Sequence, residues 1–436
     1  MQEIYSWPWV EAEAVRTAEA WRSCAAMPLP RGLHYGPHEQ RNREKAYDNA
    51  MRAVQREIRK APQTVIGRLA TRNRLVALFG QFAVAALGLE DQAVELITSD
   101  FLPAGIEFAR WARRFDAQLS MASIIQACRN AWTVCGLQPL LGEHFEITPS
   151  IVGYSLLYPY TDNYLDSHDE SGAAKRRFCA RFRERLRDGP LPAEDDREVP
   201  VWALVGLIEG QYPRDRYPQV FDSLLAIHQA QEESIAQLGS DGFCSNAEVL
   251  RISCAKGGSS VLADACLARG WLSAEESRLA FDWGALLQLG DDLQDVAEDL
   301  RRGSATLFTR AAAAGRPLDS LVIQLLNFSE CVGAEMNRFP NGSATLKDLL
   351  RTSWRSLIVG AVANAREFFS PGFLAEMESS SPFRFGFLDA RRRKVTSRNG
   401  MYQAVFNTLI ESPEDEAGTR PEPGCQCTVP SATYSI

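Results

Sequence analysis

Gln288-Leu289-Gly290-Asp291-Asp292-Leu293-Gln294-Asp295-Val296-Ala297-Glu298-Asp299-Leu300 is the stretch that decides how this chain is read. At roughly 100° per residue, Gln288, Asp292, Asp295 and Asp299 fall within a helical stripe of about 40 to 60°, and Asp291 lies roughly 60° to one side. Leu286, Leu289, Leu293, Val296 and Leu300 make a separate apolar stripe about 120° away, which can seat the helix in a core while the acids face elsewhere. About 130 residues earlier, Thr161-Asp162-Asn163-Tyr164-Leu165-Asp166 places two more carboxylates at i,i+4. Like charges at that spacing cost an isolated helix a few tenths of a kcal/mol per pair. A chain that does this twice is expected to hold a cation between the two stretches.

Around these clusters the chain reads as helix. Ala, Leu and Arg dominate, alternating β-branched residues are almost absent, and the periodicity predicts helices at 9–26, 39–60, 62–88, 90–97, 103–137, 148–168, 171–187, 199–210, 217–238, 245–270, 273–302, 317–338, 343–368 and 398–411. Pro28-Leu29-Pro30-Arg31-Gly32 and the loop from Asp188 to Asp196 interrupt this pattern without dividing it into halves with independent cores. The reading is an all-α fold in one large domain, 1–411, with its core at about 60–370 and extra N-terminal helices. The polar, proline-rich 412–436 is expected to be a disordered tail.

Composition narrows the function. The 436 residues, 45% hydrophobic, suffice for a large core, and a net charge of -8 argues against general affinity for nucleic acid or anionic membranes. The longest apolar run, Leu75 to Leu89, is too short for the roughly 20 residues that span a bilayer, so no stable membrane anchor is expected. Met1-Gln2-Glu3 opens without a basic and then apolar leader, and the expected location is cytoplasmic. Eight cysteines, at 24, 128, 135, 179, 244, 254, 266 and 331, are dispersed singly and read as small core residues, while Cys425 and Cys427 lack the partners that a zinc site needs. No Walker-type or GxGxxG loop occurs.

The two acidic stretches resemble motifs of the class I isoprenoid synthases. Leu287-Gln288-Leu289-Gly290-Asp291-Asp292-Leu293-Gln294-Asp295 is similar to the second aspartate-rich motif of trans-prenyl diphosphate synthases, FQxxDDxxD, with Leu287 in place of Phe. Shifted in frame, Asp295-Val-Ala-Glu-Asp299-Leu-Arg-Arg-Gly303 resembles the DVxEDxxRG stretch of squalene and phytoene synthases, and Thr161 to Asp166 resembles their TDxxxD motif. The resemblance implies a single helical bundle of the isoprenoid synthase type around a central cavity. It also implies Mg²⁺, several ions per site, and an isoprenoid diphosphate substrate that is ionised to an allylic cation.

Carried residue by residue, the resemblance makes Asp162 and Asp166 one metal-ligand pair and Asp291, Asp292, Asp295 and Asp299 the candidates for the other. Asp162, Asp166, Asp292 and Asp295 are the candidate catalytic residues, and Asp169 and Glu170 lie one turn beyond the first motif. Gln288, as the motif glutamine, is implied to orient a carboxylate or water, and Lys256, in Ser253-Cys254-Ala255-Lys256-Gly257-Gly258, is the first candidate for a phosphate contact. Arg251 is the second, with Arg302 and Arg310 placed to close the site. The run Arg391-Arg392-Arg393-Lys394 reads as a solvated face, and His168 as a surface residue. Tyr154, Tyr158, Tyr160, Tyr164, Trp202, Phe281 and Trp283 are cavity candidates that fit a plain core equally well.

Departures from the motifs select among branches. The first motif lacks the paired DD and trailing RR of chain-elongating enzymes, which argues against elongation. The segment at Lys256 lacks the YVAGxVG-like stretch, which weakens the case for head-to-head coupling of two prenyl diphosphates. The leading expectation is a terpene synthase-like enzyme that cyclises or otherwise converts one allylic diphosphate. Coupling of two chains and a non-catalytic helical protein are the alternatives, and a homodimer is left open.

Overall fold

The structure, a computed structural model, describes residues 4–62, 64–166, 171–234, 245–394 and 399–410, with all their side chains except those of Ala26, Val65, Tyr158, Asp162, Asn163 and Asp166. The expected tail 412–436 lies outside the described residues. Among the described residues there is no strand. In chain order the helices are α1 (Trp7–Ser23), α2 (Pro37–Arg59), α3 (Val65–Phe82), α4 (Asp91–Leu96), α5 (Leu102–Phe115), α6 (Met121–Leu140) and α7 (Pro149–Asp166). Then come α8 (Gly172–Asp188), α9 (Glu198–Gln211), α10 (Pro218–Ser234), α11 (Asn246–Arg269), α12 (Ala274–Gln294) and α13 (Val296–Arg302). The chain continues through α14 (Leu307–Ala313), α15 (Asp319–Met336), α16 (Ala344–Asn364), α17 (Pro371–Ser379), α18 (Phe385–Arg392) and α19 (Asn399–Ile410). No described helix is long and apolar enough to cross a membrane.

The middle of the molecule is the pair α11 and α12, which pack on one another more extensively than any other two elements. Local chemistry fixes their ends. Ser245 caps α11 by accepting from Glu248 N, and Gly270, at φ +91°, ends it in the left-handed conformation. Ser273 and Glu276 form a reciprocal capping box that starts α12. α11 is buried almost all round, with α1, α6 and α10 against it, and α15 and α16 flank α12. At the crossing the backbones touch: a Cβ added to Gly284 would lie 2.0 Å from Gly257 O, and one added to Gly257 would lie 2.3 Å from Gly284 O. Only glycine at both positions allows this approach.

Buried side chains from Tyr5 to Phe385 belong to one contiguous core, within which α7 packs on α6 and α9, and α8 on α10. α2, α3 and α19 pack on one another at its edge. The seven described cysteines are free thiols, six of them buried and Cys331 exposed.

Several boundaries differ from the sequence reading. The stretch read as one helix at 103–137 is two, because Ser120 caps α6 by accepting from Ser123 N and Asp116 to Leu119 form a turn. The first helix starts at Trp7, with Pro8 in its first turn, where a missing N–H costs nothing. The stretch read as one helix at 273–302 breaks at Asp295, whose φ of -95° and ψ of 6° separate α12 from α13.

Candidate functional site

The close crossing of α11 and α12 brings Ser253 and Lys256 against Gln288 and Asp292. Ser253 Oγ donates to Asp292 Oδ2 at 2.8 Å, and Gln288 Nε2 donates to Asp292 Oδ1 at 2.8 Å. Asp292 is 7% exposed, and burial raises its pKa to about 6 against the help of both donors and of Lys256. Its two oxygens are therefore committed to holding α11, Gln288 and α12 in register.

Asp291 and Asp295 are disposed differently. Both line a cavity of about 260 Å³ together with Lys256 and Gln288, and the opposite wall is α7, through Thr161, Leu157 and Tyr154. The rest of the lining is mixed: Phe182 and Leu186 from α8 and Leu224 and Ile227 from α10 are apolar, while Asn130, His228, Gln231 and Ser260 are polar. Asp295 stands exposed at this cavity, yet reduced solvation and then the Asp291 charge push its carboxyl above the usual range. Asp299, on α13 beyond the break, is raised to about 6, first by burial and then by Asp295. The break thus removes Asp299 from the continuous helical stripe but leaves it electrostatically joined to Asp295.

Asp291 has a cation, and it is one that the sequence reading passed over. Arg129 Nη2 donates to Asp291 Oδ1 at 3.0 Å, with both side chains about half exposed. Arg129 is the sole charged residue of α6, and a single charge in an otherwise apolar helix was the available signal. On the far side of Gln288 lies a second cavity of about 170 Å³, which shares Asn130, Ser260, Gln288 and Asp291 with the first. It reaches Asp264, which is 1% exposed and has one carboxylate oxygen without a hydrogen-bond partner. Burial raises that carboxyl well above its ordinary value.

The remaining candidates are dispersed. Asp162 and Asp166 lie on the last turns of α7, in the same helix as the cavity-lining Thr161, and their side chains are outside the described residues, as are His168, Asp169 and Glu170. Arg251 is bound to Glu248 at 2.8 Å and Glu233 at 3.2 Å. Arg302 pairs with Glu298 on the exposed side of α13, and Arg310 is half-buried on α14. In the run at 391–394, Arg391 pairs with Asp48 at 2.6 Å and Arg392 with Asp389 at 3.1 Å.

Of the aromatic candidates, Tyr154 lines the cavity, while Tyr160 donates to Asp116 at 2.7 Å and Tyr164 meets the edge of Phe178. Trp202 stacks on Phe182, one ring behind the lining, and Phe281 and Trp283 are core residues. Tyr158 is outside the described side chains. No protein-family model matches this chain, and no curated protein or solved structure matches it.

Proposed function

We propose that the protein is a class I terpene synthase-like enzyme, which ionises an allylic isoprenoid diphosphate and converts the resulting cation. One observation carries this reading: the two acid-bearing helices, α7 and α12, line one cavity that gathers Asp291, Asp295, Lys256 and Gln288 and that also carries an apolar patch of Leu157, Phe182, Leu186, Leu224 and Ile227. The donor set suits Mg²⁺, a hard cation that takes oxygen ligands and keeps several waters. Reduced solvation and then the neighbouring Asp291 charge raise the Asp295 carboxyl above its usual range, and a cation between the two would relieve that crowding. They would hold it together with Asp162 and Asp166 of α7, and Asp299 stands next to Asp295.

Bound there, Mg²⁺ would neutralise the substrate's diphosphate and make it a better leaving group. Lys256 supplies a point charge to the phosphate oxygens from α11, and Arg129 can exchange its exposed bond to Asp291 for one to phosphate. Asp292 positions Gln288 and the α11–α12 contact without lining the cavity. Leu157, Phe182, Leu186, Leu224 and Ile227 exclude water from the hydrocarbon, and the Tyr154 and Phe182 rings offer negative faces to a cation.

The test is diphosphate release by the purified protein with Mg²⁺ or EDTA, across allylic diphosphates of increasing length, with organic products extracted from the same tubes. Release that needs Mg²⁺ supports the reading, and the product mass separates conversion of one chain from coupling of two. A folded protein that releases nothing at any length, and shows no thermal shift with Mg²⁺ and diphosphate, would sink it.

A further inference from the structure

Cys179 of α8 and His228 and Glu232 of α10 form a second group of possible ligands, independent of the acidic helices. A ligand atom from each, the thiol sulfur, an imidazole nitrogen and a carboxylate oxygen, lies within 4.8 Å of the other two. His228 and Glu232 are one helical turn apart, which puts both on one face of α10, and His228 Nε2 is 3.6 Å from Glu232 Oε2. Cys179 and His228 are 3% and 2% exposed, and the ring of Phe182 meets the imidazole edge-on at 5.0 Å, which fixes its orientation. The apolar reading of Cys179 as a small core residue explains its burial. His228 is held by the Cys179 carbonyl and Glu232 by Arg183, and the thiol, imidazole and carboxylate ligand atoms still converge within 4.8 Å of one another.

We propose that Cys179, His228 and Glu232 bind a divalent cation of the zinc class in the wall of the cavity that His228 lines. Sulfur and imidazole select a borderline-soft ion over magnesium, and three protein ligands leave the fourth tetrahedral position for water or another donor. The protons balance as follows. Ligation needs the neutral imidazole, the form that burial favours, and burial pushes the thiol up to about 11, so the ion must displace the thiol proton to solvent. His228 Nε2 now donates to Cys179 O at 2.9 Å, and its proton moves to Nδ1 when Nε2 takes the ion. Glu232 is now paired with Arg183, whose side chain is 44% exposed and free to swing into solvent.

Co²⁺ is the probe, because a cobalt–thiolate bond absorbs in the near ultraviolet whereas oxygen-only ligation does not. The chelator-stripped full chain is titrated with Co²⁺, followed by competition with Zn²⁺. The expected result is a charge-transfer band that saturates at one ion per chain, bleaches with Zn²⁺ and is absent in Cys179→Ser. His228→Ala should weaken binding by at least about ten-fold, since even loss of an outer-shell partner costs roughly 10- to 100-fold. Arg183→Ala, an exposed change that does not threaten folding, should tighten it by up to about five-fold by removing the competitor for Glu232. No thiolate band in the folded wild type, or a band that persists unchanged in Cys179→Ser and so belongs to other thiols, would overturn the proposal. Asp295→Asn should leave the band intact, which keeps this outcome separate from the fate of the acidic site.

Discussion

The two ends of α12 treat their acids in opposite ways. Near the N-terminus, Asp282 is 4% exposed and fully partnered: Arg16 donates to it at 2.7 and 3.0 Å, and Thr17 Oγ1 at 2.5 Å. Glu276 closes the capping box and pairs with Arg269 at 2.7 Å. At the C-terminal end, Asp291 and Asp295 gather with Asp299 of the adjoining α13, Arg129 is the one close ion-pair partner found for the three among the described residues, and Asp295 and Asp299 are pushed towards protonation. Acids that hold a fold together come with their donors. Acids crowded beside an open cavity without them carry an electrostatic cost that a bound cation would remove.

The largest effect expected from breaking this contrast is on turnover. Asp295→Ala or Asp291→Ala should lower Mg²⁺-dependent diphosphate release by about 10²–10³-fold, the range for losing one group that stabilises developing charge. Circular dichroism should show the fold intact. Asp282→Ala should do the reverse. It takes away the acceptor shared by Arg16 and Thr17 while leaving Arg16 its pair with Glu13, and is expected to cost roughly 1–3 kcal/mol of stability, less than a buried pair with no second partner because Arg16 keeps Glu13 and is one-third exposed. Denaturant melts measure the second effect, and turnover per folded molecule should change little. If Asp282→Ala abolished release in folded protein, the division of α12 into a structural and a functional end would fail.

The pH dependence separates the ends next. Asp292 has a folded pKa of about 6 against an ordinary 3.8, so between these values the folded state holds a proton that the unfolded state has released. Stability therefore falls as pH rises through this window and levels off above it. The contribution is on the order of 1–3 kcal/mol for a shift of this size. Glu44, Glu198 and Glu209, whose pKa values are lowered by arginines, act in the opposite sense, so the total slope is not diagnostic. The difference between wild type and Asp292→Asn is: the wild type should lose stability relative to the variant from pH 4 to 6. A difference that is flat across the window would mean that Asp292 is solvated in the fold.

These contrasts mark where the sequence stops being informative. The start of α12 was legible because Ser273 and Glu276 are a local signal, and its acidic stripe because helical periodicity needs no partner. α14, α17 and α18 were missed because seven to nine residues carry too few repeats to show a period. Which carboxylate of the stripe is buried was not legible. Asp292 looked central by angle, but the Gly257–Gly284 contact turns α12 so that Asp292 meets Ser253 while Asp291 and Asp295 meet the cavity. That choice is made by α11, some 30 residues away in sequence and fixed by tertiary packing. Arg129 arrives from α6 in the same way.

The smallest expected effect gives the sharpest test, because its sign reverses. Asp291 and Asp295 are an i,i+4 like-charge pair, which costs a helix about 0.2–0.5 kcal/mol. With EDTA, Asp295→Asn should therefore be slightly more stable than wild type, by a few tenths of a kcal/mol. With saturating Mg²⁺ and diphosphate the order should invert, because a ligand that binds only the folded wild type stabilises it by RT ln(1 + [L]/Kd), which the variant largely forgoes. Thermal melts of both proteins in both conditions supply the comparison. A variant that stays the more stable of the two with Mg²⁺ and diphosphate would show that the crowded acids at this end of α12 hold no cation. The charge pattern would then be a cost the fold tolerates, like any exposed acidic helix terminus.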